Sequence, residues 1–142
     1  MRQSQLKKIA QTCANKVTKK NFSLEPYKHL VIDNFLPDDL AQRCMESFPD
    51  LSNKVWEHEN DKGIEVKSRT TWSSELDIPD NIIDSVRILN CSLLLNAFSK
   101  VFGIKKLIPD PYFSGGGLNI TKKGGLLDVH VDGNFHDATG LN

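Results

Sequence analysis

Leu6, Ile9, Ala10, Cys13 and Val17 recur at intervals of three and four among Lys and Gln, which predicts an amphipathic helix within the first twenty residues. The run His29-Leu30-Val31-Ile32-Asp33 is apolar and β-branched at its centre and predicts a strand. Asn34-Phe35-Leu36-Pro37 then leads as a turn into DDLAQRCMESF, a second helix. Pro37 suits the start of that helix, and Asp38 and Asp39 complement its positive end. Leu40, Cys44, Met45 and Phe48 give it an apolar face, and Pro49 stops it.

Residues 51–71 are polar and show no sustained period, with Trp56 and Ile64 as isolated apolar points. This reads as a loop with room for one short strand. Beyond it, Ile82, Ile83, Val86 and Leu89 share a helical face that Leu93, Leu94, Leu95, Phe98, Val101 and Phe102 continue. Two helices fit, or one long helix broken near Asn90. Pro109-Asp110-Pro111 closes the region, because each proline holds the preceding residue extended. A change to β structure follows. Tyr112 and Phe113 precede Gly115-Gly116-Gly117, and two short extended runs flank Lys122-Lys123-Gly124-Gly125, a hairpin or tight-loop signal. The glycine run precedes a strand, and no GK[ST] follows, so it reads as a sheet corner and not as a phosphate cradle.

Composition narrows the functional classes. The 142 residues suit one domain, and 39% hydrophobic with 25% charged residues is ordinary for a globular protein. Eighteen Lys plus Arg balance eighteen Asp plus Glu, so no net basic field draws the chain onto nucleic acid or a membrane. The N-terminal segment carries cations and no long apolar stretch, so neither a signal peptide nor a spanning helix is expected there. Cys13, Cys44 and Cys91 are odd in number, far apart and without a CxxC pair, which argues against a disulfide framework or a cysteine zinc site. A reducing, cytoplasmic setting with ordinary buried thiols is the expectation.

The chemistry is concentrated in Leu127-Asp128-Val129-His130-Val131-Asp132. Its alternation predicts a strand with Leu127, Val129 and Val131 on one face and Asp128, His130 and Asp132 on the other. Residues two apart on a strand lie roughly 7 Å apart at Cα, so His130 and Asp132 can reach one ion. An imidazole and a carboxylate supply two-thirds of the facial 2-His-1-carboxylate set of non-heme iron(II) oxygenases. A bare HxD also arises by chance on solvated strands. Its place on an alternating strand after a glycine turn gives it weight.

GGGLNITKKGGLLDVHVDGNFHDATGLN resembles the ligand-bearing segment of the prolyl 4-hydroxylase-like Fe(II)/2-oxoglutarate-dependent oxygenases. YKHLVIDNFLPDDLAQRCMESFPD resembles the strand and helix that open their catalytic domain, so the two matches frame most of the chain from Tyr27 onward. The resemblance implies an α+β fold in which N-terminal helices pack on a double-stranded β-helix, a cupin-like jelly roll. It implies His130 and Asp132 as the first two iron ligands. Fe(II), 2-oxoglutarate and O2 would be the cofactor and cosubstrates of a dioxygenase that hydroxylates a small molecule or a peptidyl residue. Residues 1–25 would be a helical segment and 26–142 the N-terminal part of the oxygenase domain.

The family also carries a second His and an Arg or Lys that anchors 2-oxoglutarate, both on later strands. The ten residues after Asp132 hold no cation, so the expectation is a fragment with an incomplete jelly roll and reduced activity. Open sheet edges would then favour self-association. His136 keeps parity with His130 and Asp132 and is the nearby candidate for a third ligand, although Gly133 and Asn134 favour a turn before it. Asn119 and Thr121 share a face of the preceding run and are candidates for lining the cosubstrate pocket, or for hydrogen bonds that hold the turn. Asp128 could orient a ligand from behind. His29 and His58 lack metal-like neighbours in sequence. Two other readings stand beside the oxygenase: a small zinc-binding protein using His130, Asp132 and His136, and a non-catalytic interaction domain.

Overall fold

The computed structural model describes residues 1–61, 64–111 and 116–130. Its chain divides into two compact units, Met1–Phe48 with Ile78–Asp110, and Pro49–Asp77 with the chain from Pro111 onward. Among the described residues the structure is mixed α+β, with four α-helices and two small antiparallel sheets.

The first unit is helical. Helix α1 (Gln3–Lys16) forms where the opening apolar stripe predicts it, and Leu6, Ala10 and Cys13, with Val17 just past its end, are buried. They meet Leu40 of α2 (Asp38–Glu46), Ile88 of α3 (Asp80–Leu89) and Leu94 of α4 (Ser92–Phe102) in one cluster. The Cys13 thiol donates to the Phe35 carbonyl at 3.3 Å, and burial pushes its pKa up from the ordinary 9.0. It is a core thiol, held neutral.

The strand expected from His29 is shorter than its apolar run. Strand β1 (Phe22–Ser23) pairs antiparallel with β2 (His29–Leu30), Phe22 opposite Leu30. After Leu30 the chain turns towards α2, with Asn34 in the left-handed region at φ 50°. Lys16 at the end of α1 donates to the Asn34 and Phe35 carbonyls and ties that turn down. Pro37 occupies the N-cap of α2, and Arg43, one turn further along, pairs with Asp39 of the first turn at 2.9 Å, holding that carboxyl below its usual range.

The apolar face of α2 is narrower than the pattern implies. Leu40 is fully buried and Cys44 half-buried, but Met45 is 65% exposed. Leu40 and Cys44 are one turn apart on the same line, whereas each further residue rotates about 100° away from it. Helix α3 departs similarly: Ile82, Ile83 and Ile88 are buried, and Leu89 is exposed. Its buried arc also takes in Ser85 and Asp84. Ser85 Oγ lies 3.0 Å from the Cys44 thiol, and Asn81 donates to Ser47 Oγ at 2.7 Å, so the seam between α2 and α3 is polar and satisfied. Asp84 meets the Met1 ammonium at 3.1 Å and Arg87 at 3.9 Å.

The break near Asn90 is present. Asn90 caps α3, donating from Nδ2 to the Val86 carbonyl, and α4 starts two residues later across a 43° bend. Gly103, at φ 71°, ends α4 in the left-handed conformation that glycine adopts without cost. Among the described residues no single helix is long and apolar enough to cross a membrane.

The second unit holds a sheet that the sequence barely announces. Where a loop with room for one short strand is expected, β3 (Glu57–Asp61) and β4 (Glu65–Arg69) form an antiparallel pair, with Glu57 opposite Arg69 and Asn60 opposite Val66. Both edges of β4 are paired. Its second edge takes β5 (Asn119–Ile120) and then β6 (Leu126–Leu127), with Ile120 opposite Ser68 and Leu126 opposite Val66. Trp56 is buried and donates from its indole nitrogen to the Asp50 carbonyl at 2.9 Å, whereas Ile64 is exposed. The small antiparallel sheet is established to this extent, and the complete jelly roll is not.

Replacing Leu40 by Ala should lower unfolding stability by about 2–5 kcal/mol, the range for emptying a buried leucine site. Met45→Ala should stay within about 0.5 kcal/mol. Urea unfolding followed by circular dichroism measures both, and equal losses would contradict this packing.

Candidate functional site

The segment from Gly116 to His130 is positioned by β4. Its first fixed point is Thr70: the Thr70 N–H donates to the Leu118 carbonyl at 2.9 Å, and the Leu118 N–H donates to Thr70 Oγ1 at 2.9 Å. The backbone approach is so close that a Cβ on Gly117 would lie 1.8 Å from the Thr70 carbonyl oxygen. Glycine is required there by contact with backbone, which gives one member of the glycine run a definite structural task.

Beyond β5 the chain leaves β4 and returns. Gly125 N–H donates to the Lys122 carbonyl at 2.8 Å, and Gly124 sits at φ 85°, the pattern of a type II turn with glycine at its third position. The Lys-Lys-Gly-Gly turn is therefore formed, but its flanks do not pair with each other as a hairpin. Both pair with β4. Five residues, 121–125, stand opposite the single residue Lys67, an excursion from the ladder much larger than a one-residue bulge.

The last rung described is the Asp128 N–H to the Ile64 carbonyl, at 2.8 Å. Strand β6 itself ends at Leu127, so the strand expected from 127 onward stops short. Val129 is 99% exposed, and Leu127 is half in solvent, so the apolar side of the alternation is uncovered among the described residues. Asp128 turns the chain locally, its Oδ1 accepting from the Val129 N–H at 2.8 Å.

His130 is exposed, and its Nδ1 lies 2.8 Å from the Asp128 carbonyl oxygen. A carbonyl only accepts, so Nδ1 carries the proton, and in the neutral ring Nε2 carries the lone pair. This is the tautomer and the kind of partner found behind metal-bound histidines. Asp128 thus orients the ring through its backbone and not through its carboxylate. The contact is not diagnostic by itself, because His29 makes the same bond to the Tyr27 carbonyl at 2.8 Å.

Asp132 and His136 lie outside the described residues, as does Val131. Among the described residues no three His, Cys, Asp or Glu side chains come together as a metal site. His58 lies across from Ser68 and bonds its hydroxyl at 2.8 Å, four residues along β4 from the rung where Asp128 joins. Asn119 is exposed opposite Arg69, five residues from that rung, roughly 16 Å at a strand's rise. Thr121 is exposed just after β5. The register does not bring Asn119 beside His130. Thr70, unremarked in the sequence, is the residue that fixes the segment; its alternation with Val66 and Ser68 was the available signal.

Comparison of the chain with protein-family models, with curated proteins and with solved structures found no match.

Gly117→Ala should force β5 away from Thr70 and destabilise the sheet by about 1–3 kcal/mol. A lower urea midpoint together with faster hydrogen exchange at the Thr70 amide is the expected result. Unchanged exchange would show that the close approach does not hold the segment.

Proposed function

We propose that this chain is part of an Fe(II)- and 2-oxoglutarate-dependent oxygenase of the prolyl 4-hydroxylase-like type, with His130 and Asp132 as two of its iron ligands. In this reading the antiparallel sheet of the second unit belongs to a double-stranded β-helix. The observation that carries the proposal is the course of the chain from Gly124 to His130. The glycine turn returns the chain to β4, and His130 follows β6 with its Nδ1 proton given to the Asp128 carbonyl. That hydrogen bond fits a ligand histidine, since it holds the ring and makes Nε2 the nitrogen that carries the lone pair.

The donor set fits the metal. A neutral imidazole nitrogen and a carboxylate oxygen suit Fe(II), and a facial set leaves positions for the cosubstrate. When bound, Fe(II) with 2-oxoglutarate and O2 supplies the oxidising power to hydroxylate an unreactive C–H bond of a small molecule or peptidyl residue. The chain's own part is to hold the metal through His130 and Asp132, to keep the His130 ring in one tautomer, and to fix the segment's register through Thr70 and Gly117. Asn119 is assigned no step, because its rung is distant from His130.

Anaerobic Fe(II) titration of the chain and of a His130→Ala/Asp132→Ala variant, with and without 2-oxoglutarate, tests this directly. The chain should bind Fe(II), more than about tenfold more tightly than the variant, and 2-oxoglutarate should add a visible charge-transfer band to the metal-bound chain alone. A His136→Ala variant should keep its Fe(II) affinity; a loss there would favour the zinc-type three-ligand reading. Equal binding by chain and double variant, or none by either, would contradict the assignment.

A further inference from the structure

The helical unit carries a second candidate site, unrelated to His130. A trough of about 700 Å³ opens beside α1 where α3 gives way to α4. Its floor is apolar, with Leu6, Ala10 and Ile88 buried and Leu93 half-buried. Lys7 and Arg87 stand at its rim, both exposed, and no carboxylate lines it.

Its size lies within the range of about 300–1,000 Å³ typical of small-molecule sites, and an apolar lining with a few polar groups is their usual character. The charge pattern is one-sided over a wider area. Helices α1 and α4, which form two of its walls, carry Lys7, Lys8, Lys16 and Lys100 and not one Asp or Glu. Residues 1–24 as a whole hold six cations and no acid, in a chain whose total charge is zero. Arg87 shares its charge with Asp84 at 3.9 Å, but Asp84 is itself also held by the Met1 ammonium at 3.1 Å, so the rim stays cationic on balance. A neutral apolar ligand would leave the rim charges unused, and a cationic one would be repelled.

We propose that this trough binds an amphipathic monoanion, a carboxylate on a short unbranched or aromatic apolar body. The body lies on Leu6, Ala10 and Ile88, and the carboxylate is held by Lys7 and Arg87.

The test uses decanoate, 1-decanol and decylammonium as probes below their aggregation limits, with binding read by titration calorimetry and by amide shift changes. Decanoate should bind at least tenfold more tightly than the alcohol or the amine, and should shift the amides around Leu6, Ala10, Cys91 and Leu93. Lys7→Glu and Arg87→Gln alter exposed side chains, and each should weaken decanoate at least fivefold while circular dichroism shows the helices unchanged. Leu93→Trp, which fills the trough, should abolish binding. Equal affinity for the three probes, indifference to both charge changes, or absence of binding would overturn the proposal.

Discussion

The candidate metal-binding segment depends on one strand bonded along both of its edges. Strand β4 is held by β3 on one side, and on the other it receives, in turn, Leu118, β5, β6 and Asp128. The second edge is supplied by residues 48 to 64 positions later in the chain, so its closure must offset the entropy of a long loop. Two local devices secure it. Thr70 bonds Leu118 with both its backbone and its hydroxyl, and Gly117 lets the backbones meet where any Cβ would collide. His130 follows the far end of this ladder, and its tautomer is set by the Asp128 carbonyl two residues back.

The helical unit follows a different logic. Its contacts run among helices with clear apolar stripes, and its core closes around Cys13, Leu40, Ile88 and Leu94 without a large aromatic at its centre. Buried polar groups are tolerated where they meet each other. The Cys44, Ser85 and Asn81 contacts line the α2–α3 seam, and Asp84 has two cationic partners. The apolar trough beside α1 is one place where this packing leaves a concave surface uncovered.

These two logics explain what could be read in advance. Helix α1, helix α2 from Pro37 and the break at Asn90 were legible because a helix is written in contiguous residues, and its stripe needs no distant partner to be seen. Helix faces were blurred at their margins, as at Met45 and Leu89, because one further residue turns the side chain about 100°. Strands β3 and β4 were not legible: Val66 is the one apolar residue among their ten, and their stability comes from pairing and not from alternation. The Lys-Lys-Gly-Gly turn was legible as a turn, since Gly124 needs a positive φ. Its partner choice was not, because a hairpin and a return to a third strand share the same local chemistry. Among the described residues the alternation from Leu127 overstated β6, which ends at Leu127, and Asp128 bends the chain just after it. The sequence singles out His130 by its neighbour two residues on; its bond to the Asp128 carbonyl, which His29 matches with Tyr27, is a contact that the pattern does not contain.

In the proposed function a metal ion binds at His130. This is tested most directly by adding Mn(II) to isotopically labelled protein and mapping paramagnetic broadening of the amide resonances. Broadening centred on Asp128, His130 and Asp132, lost in His130→Ala, is the expected result. Broadening centred on His29 or His58, or an unaltered pattern in that variant, would contradict it.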